Sequence, residues 1–225
     1  MTTYRLYLNT ANEEDFLVSC SGDDENPLYL GASSSPAWYQ NGIATTAFAT
    51  DINPAFFTAF PELAFDSWFT IGAEDNTGAV DVIGLADPQY DAFEIFESGQ
   101  NLAVEGVQGN AWFVLPIPSN VEAVAGEDLR VLVAQLTTSG QIFGQIQVQV
   151  FRNGNNQDEF REVLPILQPN CVDGDGDGVC DELEVAGCTN MEACNYDELA
   201  TDDDGSCILS GEACDDGDDI TCLLY

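Results

Sequence analysis

Asp173, Asp175, Asp177, Val179, Asp181 and Glu184 take alternate or near-alternate places in one twelve-residue stretch, Asp173 to Glu184. In a tight loop, that spacing aims oxygens at a single point. The first three carboxylates point inward, and Gly178 sits where the chain must turn sharply. Val179 offers its backbone carbonyl, Asp181 binds directly or through water, and Glu184 can supply both oxygens. Calcium is a hard cation that takes roughly six to eight oxygen ligands, so Ca2+ is the expected bound ion and the expected partner. Further along, Asn195, Asp197, Asp202 and Asp204 carry oxygens suited to a second cation, or else solvated acids on a disulfide knot. Cys214-Asp215-Asp216-Gly217-Asp218-Asp219 has the look of another such loop beginning.

The rest of the composition removes most other chemistry. Among 225 residues there are 40 acids and 4 bases, a formal charge of −36, and all four bases are arginines. There is no histidine and no lysine, which excludes a Ser-His-Asp triad, a Cys-His dyad, histidine zinc ligation and imidazole bases. Such a charge excludes nucleic-acid binding by phosphate neutralisation and argues against docking on anionic lipid. No run of about 18 apolar residues could cross a membrane, so no membrane insertion is expected.

Cys20 stands apart, while Cys171, Cys180, Cys188, Cys194, Cys207, Cys214 and Cys222 crowd the last part of the chain. That part has little apolar material for a core, so disulfides are its expected support, which implies an oxidising compartment. The C-x-x-C pairs of structural zinc sites are missing. Cys194 and Cys207 could close the second acidic loop. Seven tail cysteines cannot all pair among themselves; one must stay free, reach Cys20, or bond outside this segment, and a free Cys20 is the favoured expectation. Met1-Thr2-Thr3-Tyr4-Arg5 is not a signal peptide. The chain therefore reads as a fragment of a longer exported protein, or one exported by other means, with an extracellular or cell-surface location.

The Asp-x-Asp-x-Asp-Gly-x-x-Asp pattern from Asp173, with its adjoining Cys180, resembles the thrombospondin type 3 calcium repeat. The segment from Gly187 to Cys207 resembles a cysteine-rich module of large secreted and surface proteins of marine Bacteroidetes, where it often follows such a repeat. The resemblance implies a non-enzymatic extracellular module that wraps calcium and is cross-linked by disulfides.

The elements that must carry this tail read as β. The expected organisation is an antiparallel β-sandwich over 1–165, a Pro-containing linker over 166–170, and an acidic, cysteine-rich, loop-rich tail over 171–225. Residues 170–225 hold 17 of the 40 acids and no base. Tyr4, Leu6 and Leu8 alternate with polar neighbours, and Phe16-Leu17-Val18 begins a second strand. Ser67 to Ile71, Val80 to Ile83 and Ala111 to Leu115 are short β-rich runs. Arg130 to Thr137 is nearly continuous apolar, as in a central strand, and Ser139-Gly140 offers a turn. Ile146, Val148 and Val150 face one way, and Gln145, Gln147 and Gln149 the other, as solvated surface or as a partner-facing patch. Phe56, Phe57 and Phe60 are expected to plug an open end of the sandwich.

The expected function is an extracellular, calcium-binding structural or adhesive segment, with a surface glycan or another extracellular protein as partner. A carbohydrate-binding module is the alternative and would need Trp38, Tyr39 or Trp112 exposed on one face. A glycoside hydrolase working through two carboxylates, Glu94 with Glu97 or Asp66 with Asp81, is the less favoured alternative.

Overall fold

A computed structural model describes residues 1–166, apart from Thr45, Ala86 and 88–90, and residues 185–209, apart from Glu192, Glu198 and Leu199. The chain divides into two compact units, Met1–Gln168 and Pro169–Tyr225. Asp173, Asp175, Asp177, Val179, Asp181 and Glu184 all lie outside the described residues, as do Cys171, Cys180, Cys214 and Cys222.

The first unit is mainly β. Its strands are β1 (Thr2–Asn9), β2 (Phe16–Gly22), β3 (Leu28–Ala32), β4 (Trp68–Phe69), β5 (Ile83–Leu85), β6 (Leu102–Val104), β7 (Asn110–Phe113), β8 (Arg130–Thr138), β9 (Ile142–Phe151) and β10 (Glu159–Pro165), with one short helix, α1 (Ala92–Glu97), between β5 and β6. A small sheet runs β1-β8-β4, and a larger one runs β5-β7-β2-β9-β3-β6. Gln145 pairs with Tyr29 on one side and Pro165 on the other, which puts β10 on the opposite edge of β9 from β3. Every pairing in this unit's two sheets is antiparallel.

The sheets share one core. Phe69, Val131, Val133 and Leu136 from the small sheet belong to the same buried cluster as Leu17, Trp112, Val148 and Val150 from the large one. Phe69 stacks on Trp112 with ring centroids 4.4 Å apart, and the Trp112 indole N–H donates to Thr70 O at 3.0 Å. The apolar run of β8 has the central place its sequence suggests, between β1 and β4. Leu132 turns to the other face of the small sheet, where it packs with Trp68, Ile52 and Ala49. Burial on both faces is why this strand lacks alternation.

β8 and β9 follow each other closely yet do not pair. The chain between them passes from the small sheet to the large one, and the corner is held by Ser33: its N–H donates to Gln141 O and its hydroxyl accepts from Gln141 N–H, both at 2.9 Å. The glutamine face of β9 is not a bare patch either. Ser19 Oγ donates to Gln149 Oε1 at 3.2 Å, Ser21 Oγ to Gln147 Oε1 at 3.1 Å, and Gln145 Nε2 donates to Pro27 O at 2.9 Å.

Several expectations need correction. Phe56 and Phe60 are 54% and 39% exposed, so they plug nothing, and only Phe57 leans on the Trp68 cluster. The aromatic core is built instead from Phe69, Trp112 and Phe96, with Phe96 4.2 Å from Phe69. Val80 is buried but unpaired, so the strand expected at Val80 to Ile83 begins only at Ile83. Ile166, read as the first linker residue, is buried in the core, and its N–H donates to Gly144 O at 2.7 Å. Pro165, which has no N–H to give, is accommodated at the end of β10, whose only described partner strand is β9.

Gly144 sits between β3 and β10 at a φ of 150°, and a Cβ there would lie 2.1 Å from Tyr29 O. Gly144→Ala is therefore expected to destabilise this unit by on the order of 2–4 kcal/mol, read as a lower urea midpoint.

Candidate functional site

In the second unit, β11 (Ala186–Gly187) pairs in parallel with β12 (Asp202–Asp203). Cys188 and Cys207 bring their sulfurs to 2.07 Å, closing the acidic segment between them. This corrects the pairing of Cys194 with Cys207: the β11–β12 register places Cys188 at the start of the loop that Cys207 ends. Cys194 is itself disulfide-bonded, whereas Cys20 is free and buried in β2.

The residues expected to hold a second cation are placed as follows. Asn195 spends both ends of its amide on backbone, donating to Ser206 O and accepting from Ile208 N–H, each at 2.8 Å. Asp204 accepts from Ser206 N–H at 2.8 Å, and the Ser206 side chain and backbone hydrogen bonds hold its carboxyl below the ordinary range. Asp202 lies in β12, and Asp197 N–H donates to Cys188 O at 3.0 Å. Among the described residues, no group of three or more His, Cys, Asp or Glu side chains is arranged to hold a metal ion.

The first unit brings together two carboxylates that the sequence had assigned to different pairs. Asp81 is exposed and its N–H donates to Asn120 Oδ1, far in role from Asp66; Glu94 is also exposed. Asp66 instead lies beside Glu97. Asp66 follows a 3-10 turn, Pro61–Phe65, and its backbone is clamped to β8, where Gln135 Nε2 donates to Asp66 O at 2.9 Å. Glu97 is the last residue of α1, which Asp91 caps by accepting from Phe93 N–H at 3.0 Å and Glu94 N–H at 3.2 Å. The neighbouring Phe96 anchors that helix in the aromatic core. A cavity of about 690 Å³ opens here, lined by Gln40, Asn41, Phe48, Phe93, Glu94 and Glu97, among others.

The electrostatics of this corner are unusual for the molecule. Asp66 is fully buried; its Oδ1 accepts from Asn41 N–H at 2.7 Å, but Oδ2 is buried with no partner. Glu97 Oε1 and Gln40 Oε1 share that condition. Burial pushes the Asp66 carboxyl up to about 6 despite the N–H groups of Asn41 and Ser67. Burial, with the Asp66 charge added, pushes Glu97 up to about 7. Asp15 shows the contrast. Burial opposes its ionisation too, but the N–H groups of Asn153, Asn12 and Ala11, at 2.8, 3.0 and 3.2 Å, and the Asn12 side chain outweigh it and hold the carboxyl below the usual range.

Trp38 and Trp112 are buried and Tyr39 is half-buried, so the two tryptophans form no sugar-stacking face. Comparison with protein-family models, with curated proteins and with solved structures gave no match.

A carboxyl that ionises later in the folded chain than in the unfolded one costs stability as pH rises through that interval. For Glu97 the interval runs from its ordinary 4.5 to about 7. Asp66 on the strand-entry loop and Asp91 and Glu94 on α1 are the charged groups around it, all acidic, so they add to the effect. In chelator, the melting temperature is expected to fall as pH rises from 4.5 to 7. That slope should be shallower in Glu97→Gln, as followed by circular dichroism.

Proposed function

We propose that this chain is an extracellular calcium-binding structural or adhesive segment: a β-sandwich joined to a calcium-stiffened, disulfide-linked stalk. The spacing of Asp173, Asp175, Asp177, Val179, Asp181 and Glu184 carries this reading, because few other tasks call for oxygens in that order around a glycine turn. The Cys188–Cys207 bridge, around a segment with scarcely any core, supports it. So does the charge: calcium would neutralise part of a tail that otherwise repels itself and would turn it into a stiff spacer. The chain's partners under this reading are calcium and a surface glycan or extracellular protein, and no catalytic step is involved. The buried Trp38 and Trp112 weigh against the carbohydrate-binding alternative in the form that needs them exposed.

Titration calorimetry on the full chain tests the calcium loop. An isolated loop of this kind should bind at roughly 10⁻⁴–10⁻³ M, tighter where neighbouring loops cooperate. Asp175→Ala is expected to remove one binding event. An isotherm unchanged by that substitution would show that the loop is not a calcium site.

A further inference from the structure

All four arginines are engaged away from the α1 cavity: Arg5 with Glu74 at 2.6 Å, Arg130 with Asp128 at 3.6 Å, Arg152 with Asp158 at 3.3 Å and Arg161 with Glu159 at 2.9 Å. None of them lines that cavity. The chain has no lysine or histidine to send there instead. Yet Asp66 is fully buried with one oxygen unpartnered, and Glu97 Oε1 and Gln40 Oε1 are buried acceptors without donors.

Three links hold these oxygens in one place. Asp66 Oδ1 accepts from the N–H of Asn41, the residue after Gln40, at 2.7 Å. Gln40 Nε2 donates at 3.1 Å to the carbonyl of Phe96, the residue before Glu97. The Asp66 charge acts on Glu97 directly. The bond to Phe96 also fixes which end of the Gln40 amide is free, since only its nitrogen can donate to a carbonyl. What remains is an oxygen.

Two carboxylates out of water with no side-chain cation take up either a proton or a metal ion. A proton shared between them would satisfy Asp66 and Glu97 but leave Gln40 Oε1 with no donor. A hard cation satisfies all three, and the adjoining cavity has room for the water ligands such an ion keeps. We infer that Asp66 Oδ2, Glu97 Oε1 and Gln40 Oε1 form a binding site for a hard divalent cation of the calcium type, built in the two-sheet unit without any residue of the acidic tail.

Terbium, used as the calcium probe, tests this in the full chain carrying Asp175→Ala, which disables the tail loop. Trp38, Trp68 and Trp112 all belong to the first unit, and residues 169–225 contain no tryptophan. The Trp38 ring lies 6.1 Å from that of Phe96, next to Glu97. Terbium emission excited through tryptophan should therefore appear, saturate, and be displaced by calcium. Glu97→Gln and Asp66→Asn, which keep shape and the Asn41 hydrogen bond, should each weaken binding by roughly tenfold or more, while the exposed Glu13→Gln leaves it unchanged. Calcium should raise the melting temperature of this chain, and Glu97→Gln should abolish that increment. No sensitised emission overturns the site, as does emission that survives Glu97→Gln or falls equally in Glu13→Gln. If Glu97→Gln raises the melting temperature but calcium does not, a proton occupies the pair and the cation site is overturned.

Discussion

Scarcity of positive charge governs this protein. With 40 acids and 4 arginines, a carboxylate that leaves water has almost no side-chain cation to meet. The fold answers in two ways. Asp15 is folded into a nest of backbone and asparagine N–H groups that stabilise its ionised form without any net charge. Asp66 has only part of such a nest, and Glu97 stands beside it, so the pair keeps a debt of charge that the rest of the chain does not settle. Elsewhere neutral pairs do what salt bridges do in other proteins. Thr3 and Thr137 share a hydroxyl hydrogen bond at 2.8 Å, Ser34 and Thr138 one at 2.9 Å, and the serines of β2 zip onto the glutamines of β9.

The same scarcity links the two units of the proposed function. A tail with 17 acids and no base is stable in a compact form only if something outside the chain supplies charge. Disulfides keep the ends of a loop together, but they do nothing about repulsion along it. Metal ions do both, which is why an acidic loop with ligand spacing and a cysteine framework belong together in physical terms.

The strands legible in the sequence were those whose pattern one face or both faces of a sheet imposes: β1, β2, β8 and β9. β3, β6, β10 and α1 escaped. β3 and β6 are short, and β10 carries Glu159, Arg161 and Glu162 on a poorly buried edge, so its local signal is that of a loop. α1 has only six residues, too few to show a helical period. The turn at Ser139-Gly140 was legible, but not that it joins two sheets, because that depends on partners far along the chain. The carboxylates were legible one by one, as candidates, and the pairing was not. Asp66 and Glu97 meet only because Phe96 packs on Phe69 and Gln135 holds the backbone at Asp66, and neither contact leaves a trace in local sequence.

β1 has consequences for how the chain comes into being. Its partner in the sheet is β8, and the Thr3–Thr137 bond spans 134 positions. β2 likewise waits for β7 and β9. At a synthesis rate of about 5–20 residues per second, the opening strands emerge on the order of ten seconds before the strands that cover them. Through that interval they are unpaired edges with apolar faces, and the large share of distant pairings favours slow folding. Two features shield the waiting segment: its early acids, Glu13, Glu14 and Asp15, set like charges beside the exposed strands of neighbouring nascent chains, and Arg5 interrupts the apolar alternation of β1. The nascent chain is thus kept apart from its copies by repulsion until β8 and β9 arrive.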